Sequence, residues 1–472
     1  MTRLAPREVA IALGAATVWA LVVRPGPLSL PYFWDEADVY APGAKWLADH
    51  DLDPTPGHFP DDWSRGHPPL LYVVAALAFR MLGPGPAIGH ALIVPFTALA
   101  LAFTYVLAAE RAGRVAGVIA AVALACSPLF MTMGAFLLPE MPMTALTVLA
   151  LWCCARRAWV GAAACGVALV WTKETGVGVP IAIACGVAVE AWRNGRLRDH
   201  VGAIAISLAP VLALIAFFVW QRATAGYFVF PHHAGLLDAR PFGIENLVTV
   251  VPSVLAWHGR IALVIVAVLS AIGLARGKAW PASLGLDATN VAIVVLFLGN
   301  ALFFAKMFWL ERYALPLHPG LAVLIGCAIA AYLRVVPRLR WPVAIAVAAA
   351  GALGLASMSA PSSAPEHTFA FAAHVERDRD AIRRIARDGD PLVITTWPLT
   401  TELREPWLGY APRPLRSLHP DHVRDDAGDV RVLIDHGSRQ RRRLRELALT
   451  RGMRERWALE REGAPRLELW GP

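Results

Sequence analysis

Asp35 and Glu36 stand side by side in PYFWDEADVY, residues 31–40, directly after the first apolar run of the chain. Acids placed where a helix leaves lipid are costly unless they are solvated or do chemistry. Ionisable residues recur at comparable places further on: Glu140 in LLPEMPMT, Lys173 and Glu174 in TKETG, His232 and His233, and Lys306, Glu311 and Arg312 in KMFWLERY. A carboxylate can take the proton of a hydroxyl, while Lys and Arg can neutralise charge developing on a departing phosphate. The set therefore suits transfer of a group from a lipid-borne, phosphate-activated donor. No P-loop or G-x-G-x-x-G pattern accompanies it, which disfavours a soluble nucleotide-linked donor.

The elements that must hold these residues are membrane helices. Of 472 residues, 57% are hydrophobic and 17% charged, and the mean hydropathy is +0.50, more apolar than a soluble domain. Arg3 and Arg7 precede an apolar run, Val9–Val23, that reads as a retained helix because further apolar runs follow it. The net charge of +8 comes from short basic clusters between apolar runs, a cytoplasmic-loop pattern that argues against nucleic acid as a partner. These clusters are Arg111/Arg114, Arg156/Arg157, Arg193/Arg196/Arg198, Arg276/Lys278 and Arg334/Arg338/Arg340.

With each cluster inside, about eleven transmembrane helices fit: 8–24, 87–109, 115–133, 141–155, 158–172, 176–192, 201–220, 258–275, 288–305, 313–333 and 341–359. Residues 68–79 reach only about 18 Å as a helix against an apolar core of about 30 Å. They are expected to lie along the outer face, within one external loop, 25–86, that carries juxtamembrane helices. A single helix over 158–192 would bury Lys173 and Glu174 at its middle, so two short helices meeting at TKETG are expected.

Residues 1–360 thus form an all-α polytopic membrane domain. From 361 to 472 the chain turns charged and Arg-rich, with a helical stretch HVERDRDAIRRIARDG and strand-like PLVITTW, DVRVLID and RLELW. A small extracytoplasmic α/β domain is expected there, joined by a linker at SMSAPSSAPE, 357–366. The six cysteines lie in apolar runs without metal-ligand spacing and read as small buried hydrophobes.

WDEADVY, GHPPLLY, LLPEMPMT, TKETGVGVP and ERYALPLHPGLAVLIG, in this order over residues 8–333, resemble motifs of the GT-C glycosyltransferases that use polyprenyl-phosphate sugars. Protein O-mannosyltransferases and lipid A aminoarabinose transferases are the groups most similar. The resemblance implies an inverting transfer of a monosaccharide at the outer face of the plasma membrane, from a polyprenyl-phosphate sugar donor to an envelope acceptor (protein, lipid or polysaccharide). It assigns Asp35 as general base with Glu36 beside it, and Glu140 to a second acidic position where the family more often has Asp. Lys173 and Arg312 match basic positions suited to the donor phosphate. A divalent metal ion is a candidate cofactor, and His232 and His233 are its candidate ligands.

A transporter or flippase of a lipid-linked glycan is the alternative; its charges would line a pathway near the midplane, whereas these sit at helix ends on one side. Eleven spans from an inside N-terminus end outside. A reporter active only in the cytoplasm, fused after Pro472, is expected to be silent; activity there would mean that 68–79 crosses or that a pair of spans has been miscounted.

Overall fold

The computed structural model describes residues 2–239, 243–255, 260–307, 310–360, 365–423 and 429–472. The middle of the expected linker and the first residues of the expected second domain, 361–364, lie outside them. The first helix, α1 (Pro6–Val22), is followed by a long non-spanning segment that carries α2 (Ala41–Asp49), α3 (Asp61–Ser64) and α4 (Leu70–Leu82). The prolines of GHPP stop the preceding turn and start α4, whose 13 residues make it the short apolar helix expected from 68–79.

Then come α5 (Pro86–Ala112), α6 (Arg114–Ala125), α7 (Pro128–Met133), α8 (Glu140–Ala155), α9 (Trp159–Thr172), α10 (Gly178–Arg193) and α11 (Val201–Ala225). The chain continues through α12 (Pro231–Ala239), α13 (Ile244–Leu255), α14 (Arg260–Arg276), α15 (Ala288–Lys306), α16 (His318–Val335) and α17 (Arg340–Ala356).

Every segment expected to span is helical. Among the described residues, six stretches are long and apolar enough to cross a membrane: 86–112, 174–193, 198–225, 282–306, 311–335 and 337–356. The others are shorter or broken. Pro128 interrupts the third span between α6 and α7, and Lys173, in extended conformation, separates α9 from α10 at TKETG as the buried charges require. Helices α12 and α13, between α11 and α14, had no counterpart in the sequence reading.

Burial separates centre from periphery. Within an apolar 18-residue window of each stretch, 89% of residues are buried in 311–335 and 67% in 86–112, against 22% in 198–225 and in 337–356. Helix α5 is the hub, packed on α1, α6, α8 and α16. Lipid offers no hydrophobic drive between helices, so close approach depends on small residues. At Gly186 of α10 an added Cβ would collide with the carbonyl oxygen of Ala288 in α15, and at Gly326 of α16 with that of Ala116 in α6.

The remaining chain is a small α/β unit: α18 (Phe371–Arg387), β1 (Leu392–Ile394), α19 (Leu399–Arg404), β2 (Ser417–Leu418), β3 (Val430–Asp435), α20 (Arg441–Thr450), β4 (Arg454–Arg461) and β5 (Ala464–Gly471). The sheet order is β2-β1-β3-β5-β4, with β1 parallel to β2 and β3, and β5 antiparallel to β3 and β4. β1, β3 and β5 occupy the three strand-like segments; β2 and β4 were not anticipated. RERWALER lacks an apolar run because β4 sits at the sheet edge, where half-exposed charged residues are tolerated.

Strand alternation gives the sheet two apolar faces. Ile394, Val432 and Ile434 pack on Leu444 and Ala448 of α20. Val393, Leu433, Leu467 and Leu469 join Val375 and Ile382 of α18 in a core continuous with that of the helical bundle.

Gly186→Ala is expected to force α10 from α15 and destabilise the protein by about 1–3 kcal/mol. Gly202→Ala, on exposed α11 with open space around it, is expected to be neutral or slightly stabilising. Thermal unfolding in detergent compares the two.

Candidate active site

The segment after α1 turns sharply before the acids. Trp34 has φ 56, in the left-handed region, and from Glu36 to Tyr40 the backbone winds as a π-helical turn leading into α2. Neighbours on such a turn point in different directions, and the two acids meet different fates.

Glu36 points into the protein and is fully buried. It accepts hydrogen bonds from the backbone N–H of Phe33 (3.2 Å) and of Leu137 (2.6 Å), and His90 Nε2 lies 2.9 Å from it. His90 is oriented by donating from Nδ1 to the Leu28 carbonyl at 2.7 Å. Glu36 therefore ties the first loop to the approach to α8.

Asp35 keeps 22% of its side chain exposed and forms an ion pair with Arg312 Nη2. Arg312 comes from the 3₁₀ stretch Glu311–Leu317 that leads into α16. Its Nε lies 3.9 Å from Glu140 Oε1, and the same oxygen accepts from Lys173 Nζ at 3.2 Å. Lys173 Nζ also sits 4.5 Å from the centre of the Tyr313 ring, a cation–π contact. The result is a chain of alternating charge, Asp35–Arg312–Glu140–Lys173, drawn from four separate stretches of sequence.

Charge balance in this chain is complete, but hydrogen bonding is not. Arg312 Nη1 and Glu140 Oε2 are buried without a hydrogen-bond partner among the described residues. A donor aimed into a site and left unpaired is where an incoming anion can bind.

Burial alone would raise the Asp35 carboxyl. The charge and hydrogen bond of Arg312, with Arg65 and Lys173 at longer range, outweigh it and hold the group below the usual carboxylate range. Asp35 is therefore ionised at neutral pH. The sign follows: its ion pair is intact above the ordinary carboxylate range and is lost as pH falls through the depressed value.

Beside this chain lie groups that sequence reasoning did not single out. Asp38, one turn on from Asp35, accepts from Arg65 Nη2 at 2.8 Å and from Trp397 Nε1 at 2.9 Å. Its i,i+3 spacing from Asp35 was available as a signal; its partners were not. His67 of GHPP lies 2.9 Å from Glu174, and the His233 ring centre is 5.1 Å from that of His67. His90 carried no sequence signal.

The expected metal ligands fit a metal poorly. His232 and His233 are neighbours on α12, and burial together with His67 pushes His233 down to about 4. Among the described residues no three His, Cys, Asp or Glu side chains gather as ligands would. The two acids nearest the centre of the site are already matched by Arg312 and Lys173.

No family model and no curated protein matches the chain. Among solved structures, ArnT from Cupriavidus metallidurans bound to undecaprenyl phosphate superposes with a TM-score of 0.61 over 99% of this chain and 98% of that one, at 14% identity. Its apo state superposes at 0.56, over 98% and 97%, with the same identity. The chain has the GT-C fold. Coverage at both ends means that the C-terminal α/β unit belongs to the superposition as well as the helices. In this chain the fold carries the first loop, TKETG and the ERY stretch to one place, where Asp35, Arg312 and Lys173 are linked through Glu140.

Glu36→Gln would turn one acceptor of the Phe33, Leu137 and His90 set into a donor. It is expected to cost about 1–3 kcal/mol, read as a fall in the thermal midpoint, whereas Glu174→Gln, at the His67 pair where 28% of the Glu174 side chain is exposed, is expected to cost less.

Proposed function

We propose that the protein is a membrane glycosyltransferase that moves one monosaccharide, with inversion, from a polyprenyl-phosphate donor to a hydroxyl of an envelope acceptor. The observation that carries this reading is the Asp35–Arg312–Glu140–Lys173 chain: an ionised, partly exposed carboxylate joined to two cations at one place in a GT-C fold. ArnT, which shares that fold, has been crystallised with undecaprenyl phosphate. The arginine clusters support an active site and C-terminal domain outside the cytoplasm.

In this reading the acceptor hydroxyl gives its proton to Asp35 and its oxygen attacks the anomeric carbon from the face opposite the phosphate. The bond from that carbon to the phosphate oxygen breaks, and the phosphate leaves with the electron pair. Arg312 and Lys173 stabilise the charge that appears there. Arg312 is the hinge of the scheme. Paired with Asp35 it weakens the base, so an arriving phosphate that shares the guanidinium through its free Nη1 restores basicity when a donor is present. Glu36 and His90 act as positioning residues for the loop that carries Asp35.

Asp35→Asn keeps the shape of the side chain and removes the proton acceptor. Transfer from a polyprenyl-phosphate sugar is expected to fall by about 10²- to 10⁴-fold, with undecaprenyl-phosphate binding retained as the measure of an intact fold. Near-normal transfer would remove Asp35 from the role. Arg312→Lys, which lacks the fork, is expected to weaken undecaprenyl-phosphate binding; unchanged binding would remove the cation from the phosphate site.

A further inference from the structure

Trp397, in the C-terminal unit, is hydrogen-bonded to the loop bearing the proposed base. Its Nε1 donates to Asp38 at 2.9 Å, yet the residue remains 38% exposed. Across from it stands Trp34, the residue before Asp35. The ring centres are 5.0 Å apart and the planes meet at 66°, an edge-to-face contact that makes a corner of two indoles while Trp397 stays partly exposed. Trp34 holds φ 56 and Arg65, the other partner of Asp38, holds φ 46. A bulky residue in the left-handed region costs energy that the surrounding structure must supply. Here that conformation turns the indole toward Trp397 and leaves Asp35 facing Arg312.

The edge-to-face pair is itself a packing contact, but it leaves Trp397 hydrogen-bonded at its edge and 38% exposed. It suits a ligand with one apolar face and a polar rim. A pyranose ring has this character: its axial C–H bonds make a face that stacks on indole, and its equatorial hydroxyls reach carboxylates and guanidinium groups. Asp38 and Arg65 supply both kinds of partner at the edge of the corner.

We infer that Trp34 and Trp397 form a sugar-stacking subsite for the acceptor, so that the hydroxyl glycosylated by this protein belongs to, or neighbours, a pyranose ring. The inference rests on the glycosyltransferase reading and deepens it by naming the acceptor class. The side of approach supports the acceptor rather than the donor. Asp35 pairs with Arg312, which leads on to Glu140 and Lys173, whereas Asp38, one turn away, pairs with Arg65 and with Trp397 of the C-terminal unit. A ring stacked in the corner would present a hydroxyl to Asp35 opposite the phosphate, as inversion needs. The C-terminal unit then has a part in the reaction: it brings one wall of the acceptor subsite.

Full-length protein in nanodiscs, probed by saturation-transfer NMR with methyl glucoside, galactoside and mannoside, tests this without turnover. Saturation is expected on the C–H protons of at least one glycoside, reduced about tenfold by Trp397→Ala and largely kept by Trp397→Phe, which retains a ring. The corresponding octyl glycosides below their micellar concentration separate the sources. Tighter binding of the octyl form points to a glycolipid headgroup, and equal binding to a soluble glycan.

A second measurement does not depend on how Trp397→Ala folds. In 5-fluorotryptophan-labelled protein, the resonances assigned through Trp34→Phe and Trp397→Phe are expected to shift when the glycoside is added. No saturation of any glycoside, or stationary Trp34 and Trp397 resonances, overturns the subsite. Undecaprenyl phosphate is titrated separately. If it fails to bind, the glycosyltransferase reading fails; if it binds while no glycoside does, only the acceptor inference falls.

Discussion

Four charges in a largely apolar protein must balance, and the site is organised by that constraint. Two acids and two cations isolated within a bundle would each carry a desolvation penalty of several kcal/mol. Joined as Asp35–Arg312–Glu140–Lys173, they sum to zero within contact distances. The pairing reaches into the folding of the bundle, because the four residues lie at the first loop, the start of α8, the break between α9 and α10, and the approach to α16. Each helix interruption near the site has a reason in this chain of charge. Lys173 lies in extended backbone because a continuous helix would carry it away from Glu140. Arg312 sits in a 3₁₀ stretch, which swings its side chain across to Asp35.

The same constraint separates rigid from adaptable parts. Glu36 is held by backbone N–H groups of two segments, with His90 Nε2 2.9 Å away. Among the described residues, Arg312 has an unpaired buried Nη1 and Glu140 an unpaired Oε2, so the centre of the site is balanced in charge while still able to accept a ligand.

The C-terminal unit is not an appendage on a tether. Phe33 of the first loop lies 5.6 Å from Phe371 of α18, and Phe136 lies 4.4 Å from the same ring. The backbone N–H of Tyr32 donates to the Leu408 carbonyl at 3.0 Å. One face of the sheet shares the core of the bundle, so the position of Trp397 over Asp38 is set by packing as well as by its hydrogen bond. The loop carrying Asp35 is thereby clamped between two halves of the chain.

The sequence alone determined the class of the protein and the location of its charged residues. Apolar runs of spanning length, with basic clusters between them, specify membrane helices because lipid requires backbone hydrogen bonds to be satisfied within each segment. The break at TKETG and the short α4 follow from charge and length in the same local way. What only the tertiary structure decided is which of those residues face each other. Asp35 and Glu36 are indistinguishable by type and position, and their roles diverge because a strained turn at Trp34 sends one to Arg312 and the other to the N–H groups of Phe33 and Leu137. His90 and Trp397 could not be singled out, since a lone histidine in an apolar helix and a tryptophan at a strand end acquire their roles only from partners distant in sequence. Helix and strand formation are read from neighbouring residues, whereas ion pairing and stacking depend on distances in space that no local pattern encodes.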